Sequence, residues 1–271
     1  SNAINNSKKL INFIHKKNIK DLNGLYDPNL EYLGLLITIG NYDEAIDQVI
    51  ISQNILNQLP ENDWTNWYII YSNLMLGLSY AELGQPELGI EIINQIDTKK
   101  LIWSMWKTYY HIISSKVYSL SNKPSKQYDH INEAYTINKR DYDGTKKNQE
   151  LFWINKNDLY NDLNSRLMYL QSYLAKYYAE KNDVANSKRY INELEGMLSS
   201  SSNIVYEFKI ETYYNLCQAY RSLKNSKSFN KYLNLAYDEI IRVSEKMDKN
   251  HKQTYLNNIR INRELIVLKN S

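Results

Sequence analysis

LMLGLSYAELGQPELGIEII, residues 74–93, spells one helix, a turn and the opening of a second helix. Leu76, Gly77 and Tyr80 fall on one face of the first helix at helical spacing. Gly84 ends that helix, because glycine takes the positive φ of a helix C-terminus without a steric penalty. Pro86 has its φ preset and no amide hydrogen to satisfy, so it suits the first turn of the next helix. A hairpin of this size cannot bury its own apolar faces, so similar hairpins are expected on either side.

The rest of the chain supplies them. Asp27-Pro28 starts a helix that runs through Tyr32, Leu33, Leu36 and Ile39 to Gly40, and Gly40-Asn41-Tyr42-Asp43-Glu44-Ala45 turns into a partner helix. Lys107 to Leu120 leads to a turn at Ser121–Pro124 and a helix with Ile131 and Ala134; Ser165 to Glu180 leads to Lys181-Asn182-Asp183 and a helix with Ile191 and Leu194; Glu211 to Leu223 leads to Lys224-Asn225-Ser226 and a helix with Phe229, Leu233 and Ala236. The equivalent turn residues are Gly40, Gly84, Asn122, Asn182 and Lys224. Gly40 to Gly84 spans 44 residues, Gly84 to Asn122 spans 38, Asn122 to Asn182 spans 60 and Asn182 to Lys224 spans 42. Helix pairs recurring at such a period mark a solenoid. Small residues at Gly77, Ser115, Ala175 and Cys217, and at Ala45, Gly89 and Ser187, are expected where paired helices approach closely. Tyr80, Tyr118, Tyr178 and Tyr220 are expected to bury their rings and keep the hydroxyl at a polar edge.

These residues resemble tetratricopeptide repeats, whose pattern runs Leu-Gly, two residues, Tyr, and then sets an Ala and an aromatic on the second helix. Leu76, Gly77 and Tyr80 match it, as do Leu174, Ala175 and Tyr178, and Leu216, Cys217 and Tyr220; the likeness covers roughly residues 26–247. The period is longer than the family's ~34 residues, and its leading Trp is missing from its place. The tryptophans at 64, 67, 103, 106 and 153 sit nearer the beginnings of the first helices. The resemblance implies an all-α fold: a right-handed superhelix of about five hairpins in one domain, residues 4–269, with a leading helix over 4–22 and a closing helix over Lys249–Lys269. Ser1-Asn2-Ala3 has the pattern left by tag removal and is set aside.

Composition narrows the function. With 33 basic and 30 acidic residues the net charge of +3 gives no field suited to direct nucleic-acid binding. No apolar run reaches the ~20 residues of a membrane span, so a cytoplasmic location is expected. A single cysteine, Cys217, excludes an internal disulfide framework and reads as a buried spacer. His15, His111, His130 and His251 lie on different elements without metal-ligand spacing. No phosphate-binding glycine loop and no nucleophile motif occurs. No catalytic residue, cofactor or metal is therefore assigned. Asp141 and Asp143 before Gly144 begin like a calcium loop, but the glycine comes too early and the ligands run out. The stretch 139–156 is expected as an insertion with a turn at Asp143-Gly144, either a mobile loop or, as the favoured reading, a flap whose Phe152-Trp153 tucks against the array.

Binding is the expectation that remains, to a protein or peptide. In a tetratricopeptide-like array the first helices line the concave side. Equivalent positions there are Tyr71, Tyr109 and Tyr169, with Tyr214 displaced, and a turn or two further on Leu78, Lys116, Lys176 and Gln218, with Arg221 beyond. Tyrosines beside Lys and Arg suit a segment of carboxylate character. The paired Lys and Asn of the family's two-carboxylate clamp are absent. Tyr255-Leu256, Asn262-Arg263 and Ile266 look like the ending of helical-repeat regions in large bacterial signalling proteins that carry an ATPase or nucleotide-cyclase module upstream. That resemblance implies a regulatory or assembly module of a longer chain. The alternative is the peptide-sensing domain of a transcription regulator whose DNA-binding part lies outside this sequence. The oligomeric state is left open, with a homodimer among the options.

Overall fold

The structure is a computed structural model that describes residues 28–147, 156–200 and 206–271, with Asn6, Ser7 and Lys9. The described residues are helical and contain no strand. In order they form α1 (Pro28–Ile39), α2 (Tyr42–Leu56), α3 (Asp63–Glu82), α4 (Pro86–Asn94), a 3-10 turn (Thr98–Lys100), α5 (Ser104–Leu120), α6 (Pro124–Lys147), α7 (Lys156–Glu180), α8 (Val184–Ser200), α9 (Tyr206–Ser222), α10 (Ser226–Ser244), α11 (Lys249–Asn258) and α12 (Arg260–Asn270).

Five turns share one geometry, and they are the five expected from the sequence. Gly40 (φ 75°), Gly84 (φ 84°), Asn122 (φ 54°), Asn182 (φ 59°) and Lys224 (φ 55°) all take the left-handed conformation. At each, the amide of the turn residue donates three residues back and the next amide donates five back: Gly84 to the Ala81 carbonyl (3.1 Å) and Gln85 to Tyr80 (2.8 Å), Asn182 to Ala179 (3.1 Å) and Asp183 to Tyr178 (2.9 Å), Lys224 to Arg221 (3.0 Å) and Asn225 to Tyr220 (2.9 Å). This is the Schellman closure, which satisfies carbonyls that a helix end otherwise leaves unpaired. The partner helix begins two residues after the turn residue every time, at Tyr42, Pro86, Pro124, Val184 and Ser226.

The chain divides into two compact units. The first comprises residues 1–102, 116–123 and 243–260. Here α1 packs on α2 and α3, α2 on α3, and α3 on α4, around Leu33, Leu36, Val49, Leu74 and Ile93. The α3–α4 crossing depends on two glycines. A Cβ on Gly89 would sit 2.4 Å from the Gly77 carbonyl oxygen, and one on Gly77 would sit 3.0 Å from that of Gly89. α11 packs on α1 in the same unit. The second unit comprises 103–115, 124–242 and 261–271. There α7 packs on α6, α8 and α9, burying Leu167, Leu170, Leu174, Leu194 and Leu216. Ala175 and Ser187 occupy the places of Gly77 and Gly89 relative to the turn, and the Ser187 hydroxyl donates to the Ala175 carbonyl (2.9 Å). Tyr220 and Tyr232 stack at 5.7 Å and both donate to Glu195, at 3.0 and 2.6 Å, tying α8, α9 and α10 together.

Two expectations are corrected. Asp143-Gly144 is no turn, because α6 continues unbroken to Lys147. A glycine inside a helix costs ~1 kcal/mol. The helix is held there by the Lys139–Asp143 pair one turn apart (3.0 Å) and by Asn138 Nδ2 donating to the Leu163 carbonyl on α7 (3.0 Å). Asp141 and Asp143, two apart on a helix, do not face each other, so the faint calcium loop is not formed. The closing segment is two helices, broken at Ile259 (ψ 117°). The break lies where the chain packs on the first turn: Asn258 Nδ2 donates to the Gly40 carbonyl (3.0 Å), and the Ile259 side chain occupies the space a Gly40 Cβ would need. The leading helix over 4–22, apart from three residues, and Phe152-Trp153 lie outside the described residues.

Candidate partner-binding face

The residues expected to line a groove fall into two sets. Tyr71, Leu78 and Lys116 belong to the first unit. Leu78 is core. Tyr71 lies beside Trp67 (5.7 Å between rings), with its hydroxyl against Gly34 of α1. Lys116 is half-buried. Tyr109, Tyr169, Lys176, Tyr214, Gln218 and Arg221 belong to the second unit, where the geometry is more informative.

On α7 and α9 the tyrosines and the lysine meet. Lys176 Nζ lies 5.8 Å from the Tyr173 ring centre and 5.5 Å from that of Tyr214, close enough for cation–π attraction, and 4.0 Å from Glu180 one turn on. The Tyr214 hydroxyl donates to the carboxylate of Glu264 on α12. A lysine between two rings, one of which holds a carboxylate, is a site of mixed aromatic and cationic character. Tyr169 is 2% exposed and packs on Phe208 (5.3 Å), so it serves the interior. Gln218 is half-buried. Arg221 is exposed and lines a groove of about 740 Å³ with Lys224, Phe229, Leu233, Leu268 and Lys269.

Two groupings were missed in the sequence. Arg166 on α7 is 1% exposed, with its guanidinium 5.4 Å from the Tyr109 ring centre and Nη2 paired with Asp162. The available signal was the Asp162–Arg166 spacing of one helical turn, three residues before Tyr169. The second grouping spans α5 and α6. His111 and His130 bring their Nδ1 atoms to 3.0 Å, and Tyr110 sets its edge against both rings at 5.1 and 5.8 Å. Burial holds the His111 imidazole down to about 4; burial, then the neighbouring His111, holds His130 down to about 4 as well. Both rings are therefore neutral near pH 7, one donating its Nδ1 hydrogen and the other accepting. Among the described residues, no group of three or more His, Cys, Asp or Glu side chains is placed to hold a metal ion. Cys217 is fully buried and burial pushes its thiol up to about 12, which suits a packing spacer.

No helix of the described residues is long and apolar enough to cross a membrane. Compared with protein-family models, curated proteins and solved structures, the chain matches none.

Proposed function

We propose that the chain is a protein- or peptide-binding module, built as a right-handed solenoid of about five tetratricopeptide-like hairpins, which takes a segment of carboxylate character on its first-helix face. The five Schellman turns, with the next helix always starting at the same distance, support the array. The observation that carries the binding reading is Lys176 set between Tyr173 and Tyr214, with the Tyr214 hydroxyl on a carboxylate. Glu264 stands in there for the acidic group of a ligand. The setting we assign is a regulatory or assembly role within a longer signalling chain, on the likeness of residues 255–266 to the endings of such repeat regions.

The test is selection on an immobilised library of short peptides, half of them bearing Asp, Glu or a free C-terminus and half neutral. The chain should retain the carboxylate-bearing half, and Lys176→Glu should lose that preference while its far-UV circular dichroism stays unchanged. Equal retention of both halves by the unaltered chain, or an unchanged preference in the variant, sinks the reading.

A further inference from the structure

Arg166 is a costly side chain to bury in the second unit. Its guanidinium is 1% exposed, yet Nε and Nη1 have no hydrogen-bond partner, and Nη2 alone is engaged, by Asp162. The Tyr109 ring 5.4 Å away offers the cation electrostatic attraction but no lone pair for these N–H groups. Buried donors are almost always satisfied, and an unsatisfied charged group bears a larger penalty than a neutral one. An acceptor that arrives from outside the chain would satisfy both donors. The side chain of Asp162 is 31% exposed, so the pair reaches the surface at its carboxylate end.

We infer that Arg166 is the anchor for a ligand carboxylate, either the C-terminus of a peptide or an acidic side chain, held against the Tyr109 ring, with Asp162 occupying part of the guanidinium until the ligand arrives. This rests on the proposed binding reading and names the group recognised. Arginine suits the role because its fixed fork pairs with two carboxylate oxygens at once. Lys176 lies further along α7, beside Tyr214 of α9.

The experiment uses the whole chain, uniformly 15N-labelled, and follows the Arg166 Nε–H resonance, identified by its loss in Arg166→Lys and independently by its displacement in Asp162→Asn. The probes are N-acetylglycine, which ends in a carboxylate, and N-acetylglycinamide, its neutral counterpart. N-acetylglycine should shift the resonance to saturation and the amide should not. Asp162→Asn should tighten N-acetylglycine binding by about tenfold, since one charge-assisted contact is freed for the ligand. A purely structural arginine would give the opposite pattern, with Asp162→Asn lowering the melting temperature and no gain in affinity. Equal responses to both probes would mean that water satisfies the donors, and that overturns the anchor. If Arg166 responds while the peptide library shows no carboxylate preference, the partner reading fails and the anion site stands; the reverse pair of results removes the anchor alone.

Discussion

The five turn residues adopt one backbone conformation at unequal cost. Glycine takes φ near +80° freely and asparagine tolerates it, but a lysine there forces its Cβ against the following carbonyl at ~1–2 kcal/mol. Lys224, at φ 55°, bears that penalty with an exposed side chain. Lys224→Gly is therefore expected to stabilise the fold by ~0.5–1 kcal/mol after the extra chain entropy of glycine is subtracted, read as a higher urea midpoint at unchanged slope. Gly84→Ala isolates the same effect with opposite sign. Its Cβ would meet nothing within 4 Å, so any loss, expected at ~1 kcal/mol, is backbone strain alone. A neutral result for both would mean that the turns relax. Gly40 and Gly84 announce such a turn to any reader of the sequence, whereas Asn122, Asn182 and Lys224 are legible only by alignment with them. A positive φ is a property of the helix end, and residue type merely makes it easier to adopt.

Between elements, the sequence conveyed periodicity better than contact. The small residues Gly77, Gly89, Ala175 and Ser187 could be placed at helix crossings because their spacing from the turn repeats. The His111–His130 pair could not be read as a contact, although both flank the Asn122 turn, since which side chains meet across a hairpin depends on how the two helices are rotated. Arg166 was illegible for a related reason, because burial of a charged side chain depends on what neighbouring helices cover. The histidine pair gives a pH dependence. Both imidazoles lie well below the ordinary value near 6.5 when folded, about 4 for each, with Lys126 adding to and Asp129 opposing the shift at His130. Between pH 6.5 and about 4 the unfolded chain thus binds more protons than the folded one, and stability rises with pH across that window and falls on acidification. The melting temperature should drop through that range, and His111→Gln with His130→Gln should flatten this part of the profile. An unaltered slope in the double variant would assign the acid sensitivity to other groups.

At the scale of the chain, α11 is brought back onto α1. A linear repeat array lets each hairpin touch only its neighbours and leaves the first turn open. Here α11 packs on α1, Tyr255 is 2% exposed, and Asn258 donates to the Gly40 carbonyl across 218 residues of sequence. No local pattern encodes such a pairing. The expectation of one closing helix failed at Ile259, where the chain leaves helical geometry as it packs beside Gly40. The covered turn makes the first hairpin dependent on residues far along the sequence, and a contact of this separation forms only after the intervening loop entropy is lost. Tyr255→Ala removes the buried ring of α11 and is expected to cost ~3–5 kcal/mol, as large-to-small changes of aromatic residues do. Hydrogen exchange should localise the loss: amides of α1 and α2 should exchange faster, while those of α7 and α8, in the second unit, keep their protection. Faster exchange spread evenly over both units would show that α11 supports more than the first hairpin, and unchanged exchange in α1 would remove the α11–α1 contact as a source of stability.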